Sequence, residues 1–507
     1  MTNSANLKRK IHFEPDNLDI IVNQGANLLQ AAIDAGVHIN ASCGGTGVCS
    51  SCKVLIKNGK VDSIKTINIS QEEYEHGLRQ ACQSHIITDL NVYIPIESRL
   101  EKTILSHESI RIPAALATGW AFKPPVNKYY INLPPPTMED NISDLSRLLR
   151  GLKQQCALDN VSTEFPIIKK ITRILRDGDW NVTVTTMSDD EQRLVITNIE
   201  PGDTREKHYS LAFDIGTTAI RGELLDLNRG EILAQGSDYN GQIRYGEDVI
   251  TRIVSSQKTN GLQKLQQAVV ATLNKLIRQL LAQSQIDADH LGYMVIAANT
   301  TMSQLLLGLD PKYIRLAPYT PTADFLPVIK AKHLGIEVGE HVHLYILPSV
   351  ASYVGGDIVS GIVGSGIYQS KKLTYYIDIG TNGEIVVGNS DWMVTASCSA
   401  GPAFEGGGIK HGIIATAGAI ESFSINPSTL EPLIGTIAEK KPKGICGSGL
   451  INIIAGLLEA GIITPNGKFI TGLPTNRIRK GTDGYEYVLS WAKETQIGKD
   501  IVITEVD

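Results

Sequence analysis

Four cysteines, Cys43, Cys49, Cys52 and Cys82, stand in the pattern C-x5-C-x2-C…C. Four thiolates are a ligand set for either a structural Zn²⁺ or an iron–sulfur cluster. Zinc knuckles use paired C-x2-C hooks, whereas here three ligands share one loop and the fourth arrives from far downstream. Gly44, Gly45, Thr46, Gly47, Ser50 and Ser51 keep that loop small, so backbone N–H groups can approach bridging sulfides and offset their negative charge. The loop favours a [2Fe–2S] cluster over zinc.

A second chemistry is written twice. SLAFDIGTT at residues 210–218 is an apolar strand ending in Asp214 and a turn of Gly216, Thr217 and Thr218, followed by the apolar AIRGELLDL. Strand, Gly-Thr turn and returning strand form a hairpin whose tip can wrap a phosphate. Glycine lets the backbone approach, N–H groups and hydroxyls donate to phosphate oxygens, and the aspartate can hold a hydrated Mg²⁺. YYIDIGTNGE at residues 375–384 repeats the unit 164 positions later, with Asp378, Gly380, Thr381, Asn382 and Gly383 in matching places. A repeated supersecondary unit suggests two related halves facing each other across a cleft. Asp214 and Asp378 are thus the candidate catalytic, Mg²⁺-holding acids. Other candidates for the cleft are Gly355, Gly356 and Asp357, then Gly401, Gly406, Gly407 and Gly408 in GPAFEGGGI, with Asp357 and Glu405 as helpers for water or Mg²⁺. The turn opening the helix in ICGSGLINIIAGLLEAGII could also suit phosphate. Cys156, Cys398 and Cys446 read as core thiols, and His411 as a surface or core histidine.

The elements that would position these groups follow from the local patterns. KIHFEP and LDIIVN alternate like paired strands, Asn27 caps a short helix LLQAAIDA that stops at Gly36, a helical segment around QEEYEHGLRQAC delivers Cys82, and LNVYIP closes the unit. That order is a β-grasp domain at residues 1–97. Residues 98–125 read as a linker. Two amphipathic helices, ISDLSRLLRGLKQQ and EFPIIKKITRILRDG, and two strands, WNVTVTTM and QRLVITNIE, make a small α+β unit at 126–207. From residue 208 to 507, three strands lead to a helix with Leu262, Leu265, Val269, Leu273, Leu276 and Leu280 on one face. YMVIAAN and a helix capped by Asn299 or Thr300 complete a ribonuclease-H-like order, which the second hairpin restarts near residue 373. The fold class is multidomain α/β and α+β, with a two-lobed C-terminal region.

Composition bounds the rest. The 507 residues, 42% apolar and 20% charged, suit a multidomain globular protein, and a net charge of −6 with pI near 6.0 argues against nucleic-acid binding. No apolar segment follows the basic N-terminus, and the most apolar stretch is broken by Asn452 and Glu459, so neither a signal peptide nor a membrane span is expected. Seven cysteines without a secretion signal point to a reducing, cytoplasmic setting.

The N-terminal segment resembles the [2Fe–2S] ferredoxins, its five residues between Cys43 and Cys49 being similar to the adrenodoxin-like branch rather than to the plant type, whose potentials lie around −400 mV. The C-terminal region resembles the actin, sugar kinase and hsp70-like ATPase superfamily, which implies ATP between the two hairpins. The whole order, including RYGEDVITRI, NTTMSQLLLGLDP, YVGGD, GPAFEGGGI and ICGSGLI, is similar to the reductive activators of corrinoid proteins. The resemblance implies one-electron reduction of cob(II)amide to cob(I)amide on a methyl-carrying corrinoid partner of a methyltransferase system, coupled to ATP hydrolysis and fed by a low-potential donor, in a chain that could form a homodimer. The other readings are a small-molecule kinase with a redox-sensing ferredoxin domain and a non-enzymatic nucleotide-binding redox sensor. Against the superfamily pattern, no apolar strand ending in a Gly-Gly turn follows Gly461, and Thr504, Glu505 and Asp507 read as the start of a helix. The expectation is a second half left incomplete, through truncation or through an adenine pocket built differently.

Overall fold

The computed structural model describes residues 7–37, 39, 47, 52–66, 69–95, 98, 122–188, 193–246, 248–380, 382–398, 409–413, 415–426, 429–482 and 484–507. Near the N-terminus, Lys8–Glu14 and Leu18–Asn23 form an antiparallel hairpin, and Lys8–Glu14 also pairs in parallel with Leu90–Tyr93. Lys53–Asn58 and Leu78–Gln80 extend the sheet on the other side of Leu90–Tyr93. The helix Leu28–Asp34 lies across it, and Ile11, Phe13, Leu28, Val54, Ile86 and Val92 are fully buried between them. Asn27 caps this helix by accepting from the N–H groups of Leu29 and Gln30. One expectation is corrected here. The helix at QEEYEHGLRQAC is only Gln71–Glu75, started by a Ser70/Glu73 capping box and ended at Gly77, whose φ of 89° leaves the helix. Leu78–Gln80 is a strand, and a 3₁₀ turn, Ala81–Gln83, presents Cys82.

The next unit holds the two expected helices, Asp144–Cys156 and Phe165–Asp177, and four strands rather than two. Val126–Asn132 and Val161–Thr163 join Asn181–Ser188 and Leu194–Pro201 in one sheet. Both helices press Leu148, Leu152, Ile167, Ile171 and Leu175 onto it.

The first C-terminal lobe is a six-stranded sheet in the order Glu231–Tyr239, Ala219–Asp226, Tyr209–Ile215, Leu291–Ala298, His343–Ile346, Ile329–Lys330. Its Tyr209–Ile215, Leu291–Ala298 and His343–Ile346 strands run parallel. The helix Gly261–Ser284 buries Leu265, Val269, Leu273, Leu276 and Leu280 as its spacing predicts. The preceding sheet meets this lobe across a polar seam. Glu200 pairs with Lys128 at 2.6 Å and with His290 at 3.1 Å, while Glu164 meets His343 at 2.9 Å and also Lys330.

The second lobe restarts as expected with three strands, Thr374–Ile379, Gly383–Gly388 and Met393–Cys398, which form a sheet of their own. Ala419–Ile425, Pro432–Thr436 and Gly444–Ile445 form another, against which the helix Gly447–Glu459 packs. Ile478–Gly481, Gly484–Ser490 and Ile501–Thr504 make a third, and the side chains of Tyr487, Ile501 and Ile503 fill the core below that helix. Beyond Thr504, where a helix start was expected, Asp507 accepts from the Thr504 N–H and hydroxyl and closes a turn.

Candidate functional site

The carboxyl ends of parallel strands leave crevices where ligands bind in open α/β sheets. Three such ends meet in the first lobe. Tyr209–Ile215 delivers Asp214 and then the turn, which the Gly216 N–H closes on Ala219 O at 2.9 Å. A Cβ on Gly216 would lie 2.8 Å from that same oxygen, so the turn requires glycine. Leu291–Ala298 leads to Asn299, which caps the helix Thr300–Leu307 and donates from Nδ2 to Thr217 Oγ1 at 3.2 Å. His343–Ile346 leads to the helix Gly356–Ser365, with Asp357 in its first turn. Gly355 and Gly356 are explained by packing. A Cβ on Gly355 would sit 2.4 Å from Asn299 Cα, and one on Gly356 2.7 Å from Leu347 O.

The second hairpin faces this crevice with a polar row set by its register. Asp378 lies opposite Glu384, and Glu384 opposite Ser397, whose hydroxyl donates to Glu384 Oε1 at 3.1 Å. At the tip, the Gly380 N–H donates to Asn382 O at 2.9 Å, and Gly383 opens the returning strand. Because alternate residues of a strand point to opposite faces, Tyr376 shares the face of Asp378, while Tyr375, Ile377 and Ile379 are exposed on the other.

Four carboxylates from the two lobes feel one another. Burial, and then the charges of Asp357 and Asp378, push Asp214 up to about 6. Its carboxylate is walled by protein yet opens to solvent, as the floor of a cleft does. Asp357 is also pushed up to about 6, by burial and by Asp378, and Glu384 to about 7, by burial and then by Asp357 and Asp378. Burial raises Asp378 too. Like charges facing one another in a partly desolvated cleft are relieved when a cation enters, though among the described residues no three of these carboxylates lie close enough to hold one ion between them.

At the other centre, Cys52 and Cys82 are buried with their sulfurs 3.4 Å apart, near enough to share one tetrahedral metal. Gln83 Nε2 donates to Cys82 Sγ at 3.5 Å, and Asn27 Nδ2 donates to Cys82 O at 2.8 Å, so both a charge-stabilising bond and a backbone anchor are in place. The thiol pair fits a cluster-ligand role. Cys43, Cys49, Thr381, Gly401, Glu405, Gly406, Gly407 and Gly408 lie outside the described residues.

Several expectations take a different form. Cys398 is exposed rather than core, its thiol meeting Gly383 O at 3.1 Å, because the end of its strand lacks a covering layer among the described residues. Cys446 is buried as expected. His411 is held neutral, at about 4, chiefly by burial and then by Lys410, and its carbonyl pairs with Ile445 N–H. The glycine of the Gly447–Glu459 helix start is structural, since a Cβ on Gly449 would lie 1.9 Å from Ile420 O. Glu384 went unnoticed in the sequence, and so did the roles of Asn240 and Arg252, whose side chains donate to the carbonyls of Gly216 and Thr217 from beneath the first turn. Counting across the tip from Asp378 would have placed Glu384 opposite it. The roles of Asn240 and Arg252 depend on distant backbone carbonyls and leave no local signal.

Comparison with known proteins covers nearly all of the chain. Family models match at residues 11–86 (2Fe-2S iron-sulfur cluster binding domain), 115–206 (RACo linker region), 209–370 (RACo middle region) and 372–507 (C-terminal domain of RACo, the ASKHA domain). The corrinoid activation enzyme RamQ of Eubacterium limosum is 29% identical, over 96% of this chain and 78% of that protein. The [Co(II) methylated amine-specific corrinoid protein] reductase of Methanosarcina barkeri is 24% identical over 52% and 54% of the two chains. A solved structure of a reductive activator for a corrinoid, iron-sulfur protein is 40% identical, with a TM-score of 0.69, over 98% of this chain and 80% of that one.

Proposed function

The chain belongs to the reductive activators of corrinoid proteins, and from that premise we propose how its residues divide the work of ATP-dependent reduction of a partner's cob(II)amide to cob(I)amide. Residues 1–97 form the electron-carrying unit, 126–207 an adaptor and 208–507 the ATPase. Cys43, Cys49, Cys52 and Cys82 hold a [2Fe–2S] cluster, which supplies a one-electron reductant. Asn27 fixes the backbone of Cys82, and Gln83 offers an N–H to its sulfur.

Asp214 and Asp378 hold Mg²⁺, and the turns at 216–218 and 380–383 clamp the β- and γ-phosphates between the lobes. Asp357 and Glu384 sit beside them as acceptors that orient the attacking water. ATP binding draws the lobes together and favours the complex in which the corrinoid is easier to reduce, a population shift rather than phosphoryl transfer to a substrate. Each 59 mV closed in this way corresponds to about 1.4 kcal/mol for one electron. A low-potential electron donor reloads the protein.

One observation carries this reading. Carboxylates of both hairpins share a single cleft in a chain that also buries a thiol pair at metal-sharing distance. Visible spectroscopy of a cob(II)amide methyl-carrier protein, mixed with this protein and a low-potential reductant, tests it. The cob(I)amide band grows only when MgATP is added, and a band indifferent to MgATP, or never formed, refutes the reading.

A further inference from the structure

The phosphate turn of the first lobe has an underside. All three of its peptide carbonyls point into the lobe and are held there. Gly216 O accepts from Asn240 Nδ2 at 2.9 Å, Thr217 O from the Arg252 guanidinium, and Thr218 O from the Asn240 N–H at 2.9 Å. Asn240 and Arg252 are themselves fully buried and fixed. Asn240 Oδ1 accepts from the Gln242 N–H at 3.0 Å, while Arg252 Nε donates to Gly246 O at 2.8 Å and Nη1 to Gln242 Oε1 at 3.3 Å.

This arrangement decides which way the turn faces. In a trans peptide the C=O of one residue and the N–H of the next point in opposite directions. Carbonyls of Gly216 and Thr217 locked inward therefore turn the N–H groups of Thr217 and Thr218 outward. A run of N–H groups aimed into one concavity is an anion nest. A short turn without such an anchor can rotate its peptides and present carbonyl oxygens, which repel phosphate. The guanidinium suits the task because its rigid planar fork reaches Gly246 O and Thr217 O in fixed directions at once, which the single rotatable nitrogen of an ammonium does not provide.

We propose that Asn240 and Arg252 are positioning residues that lock the first phosphate turn with its N–H groups toward the nucleotide, an inference that rests on the ATPase reading above. The ligand they prepare for is a polyphosphate chain, recognised by the backbone of the turn.

The test uses the full-length, cluster-loaded protein with calorimetric affinities for MgATP and for magnesium tripolyphosphate. Asn240→Asp keeps size and the acceptor for Gln242 but replaces the donor to Gly216 O with an oxygen. Arg252→Lys keeps charge but loses the fork. Each variant is expected to weaken both ligands tenfold or more, in similar proportion, with the cluster absorbance and cooperative melting retained. Thr272→Val is the control, since it removes a neighbouring buried bond, Gly241 N–H to Thr272 Oγ1 at 3.2 Å, without touching a turn carbonyl. It should stay within twofold of wild type. Wild-type affinity in Asn240→Asp and Arg252→Lys, or an equal loss in Thr272→Val, overturns the anchor. A wild-type protein that binds neither ligand overturns the ATPase reading and the anchor with it.

Discussion

Asp357 shows how a single residue can serve function at the expense of stability. Its folded-state carboxyl is raised to about 6, first by burial and then by Asp378, against an unfolded value near 4. Below that unfolded value the group is protonated in both states and costs nothing. Above about pH 6 its ionisation opposes folding in full. Asp357→Asn keeps the acceptor for the Ile358 N–H at 2.9 Å and removes the charge. We expect its melting temperature, without nucleotide or Mg²⁺, to exceed that of wild type clearly at pH 7.5 and by a much smaller margin at pH 4.5, while ATP turnover falls at least a hundredfold. Thermal scans at the two pH values and a phosphate-release assay check this. Cys82→Ser is expected to abolish the cluster's visible absorption and lower bound iron, measured on anaerobically reconstituted protein. Asp214 and Asp378 were legible in the sequence because the same turn chemistry occurs twice. Glu384 was not, because its neighbours Asp378 and Ser397 come from strand register rather than from adjacency in the chain.

At the scale of elements, legibility followed the strength of the local pattern. The helices Leu28–Asp34 and Gly261–Ser284 announced themselves through a cap or a long apolar stripe. Val161–Thr163 is three residues long, and Val126–Asn132 follows two prolines with only its first and sixth residues buried, so neither shows a clear two-residue period. Glycines were legible as turns but not as contacts. Gly355 has a packing role that its motif did not reveal; it lets the approach to the Gly356–Ser365 helix touch the backbone at Asn299. Gly355→Ala would press a methyl against Asn299 Cα and Thr300 N, and backbone cannot swing aside as a side chain can. The expected cost is about 3 kcal/mol or more. Chemical denaturation would show it, and MgATP affinity should fall in parallel as Asn299 shifts from Thr217.

For the whole molecule, the seam between the middle sheet and the first lobe matters most. Lys128 and Glu200 are both nearly inaccessible there, and His290 shares the carboxylate. Removing one member of such a pair leaves its partner's charge stranded, so Glu200→Gln should cost on the order of 3 kcal/mol. Urea unfolding measures the loss, and limited proteolysis should locate it at the join. Among the described residues, no helix is long and apolar enough to cross a membrane. The crowded carboxylates of the cleft have a further effect that reaches beyond the protein. Near pH 6.5, Asp214, Asp357 and Glu384 hold a share of protons that an arriving cation must expel. Loading of MgATP is then also an acid-releasing event, whose heat depends on the ionisation enthalpy of the buffer. Titrations in two such buffers should count protons released at pH 6.5 and close to none at pH 8.5, so each nucleotide loaded carries a proton signal that mild alkalinity suppresses.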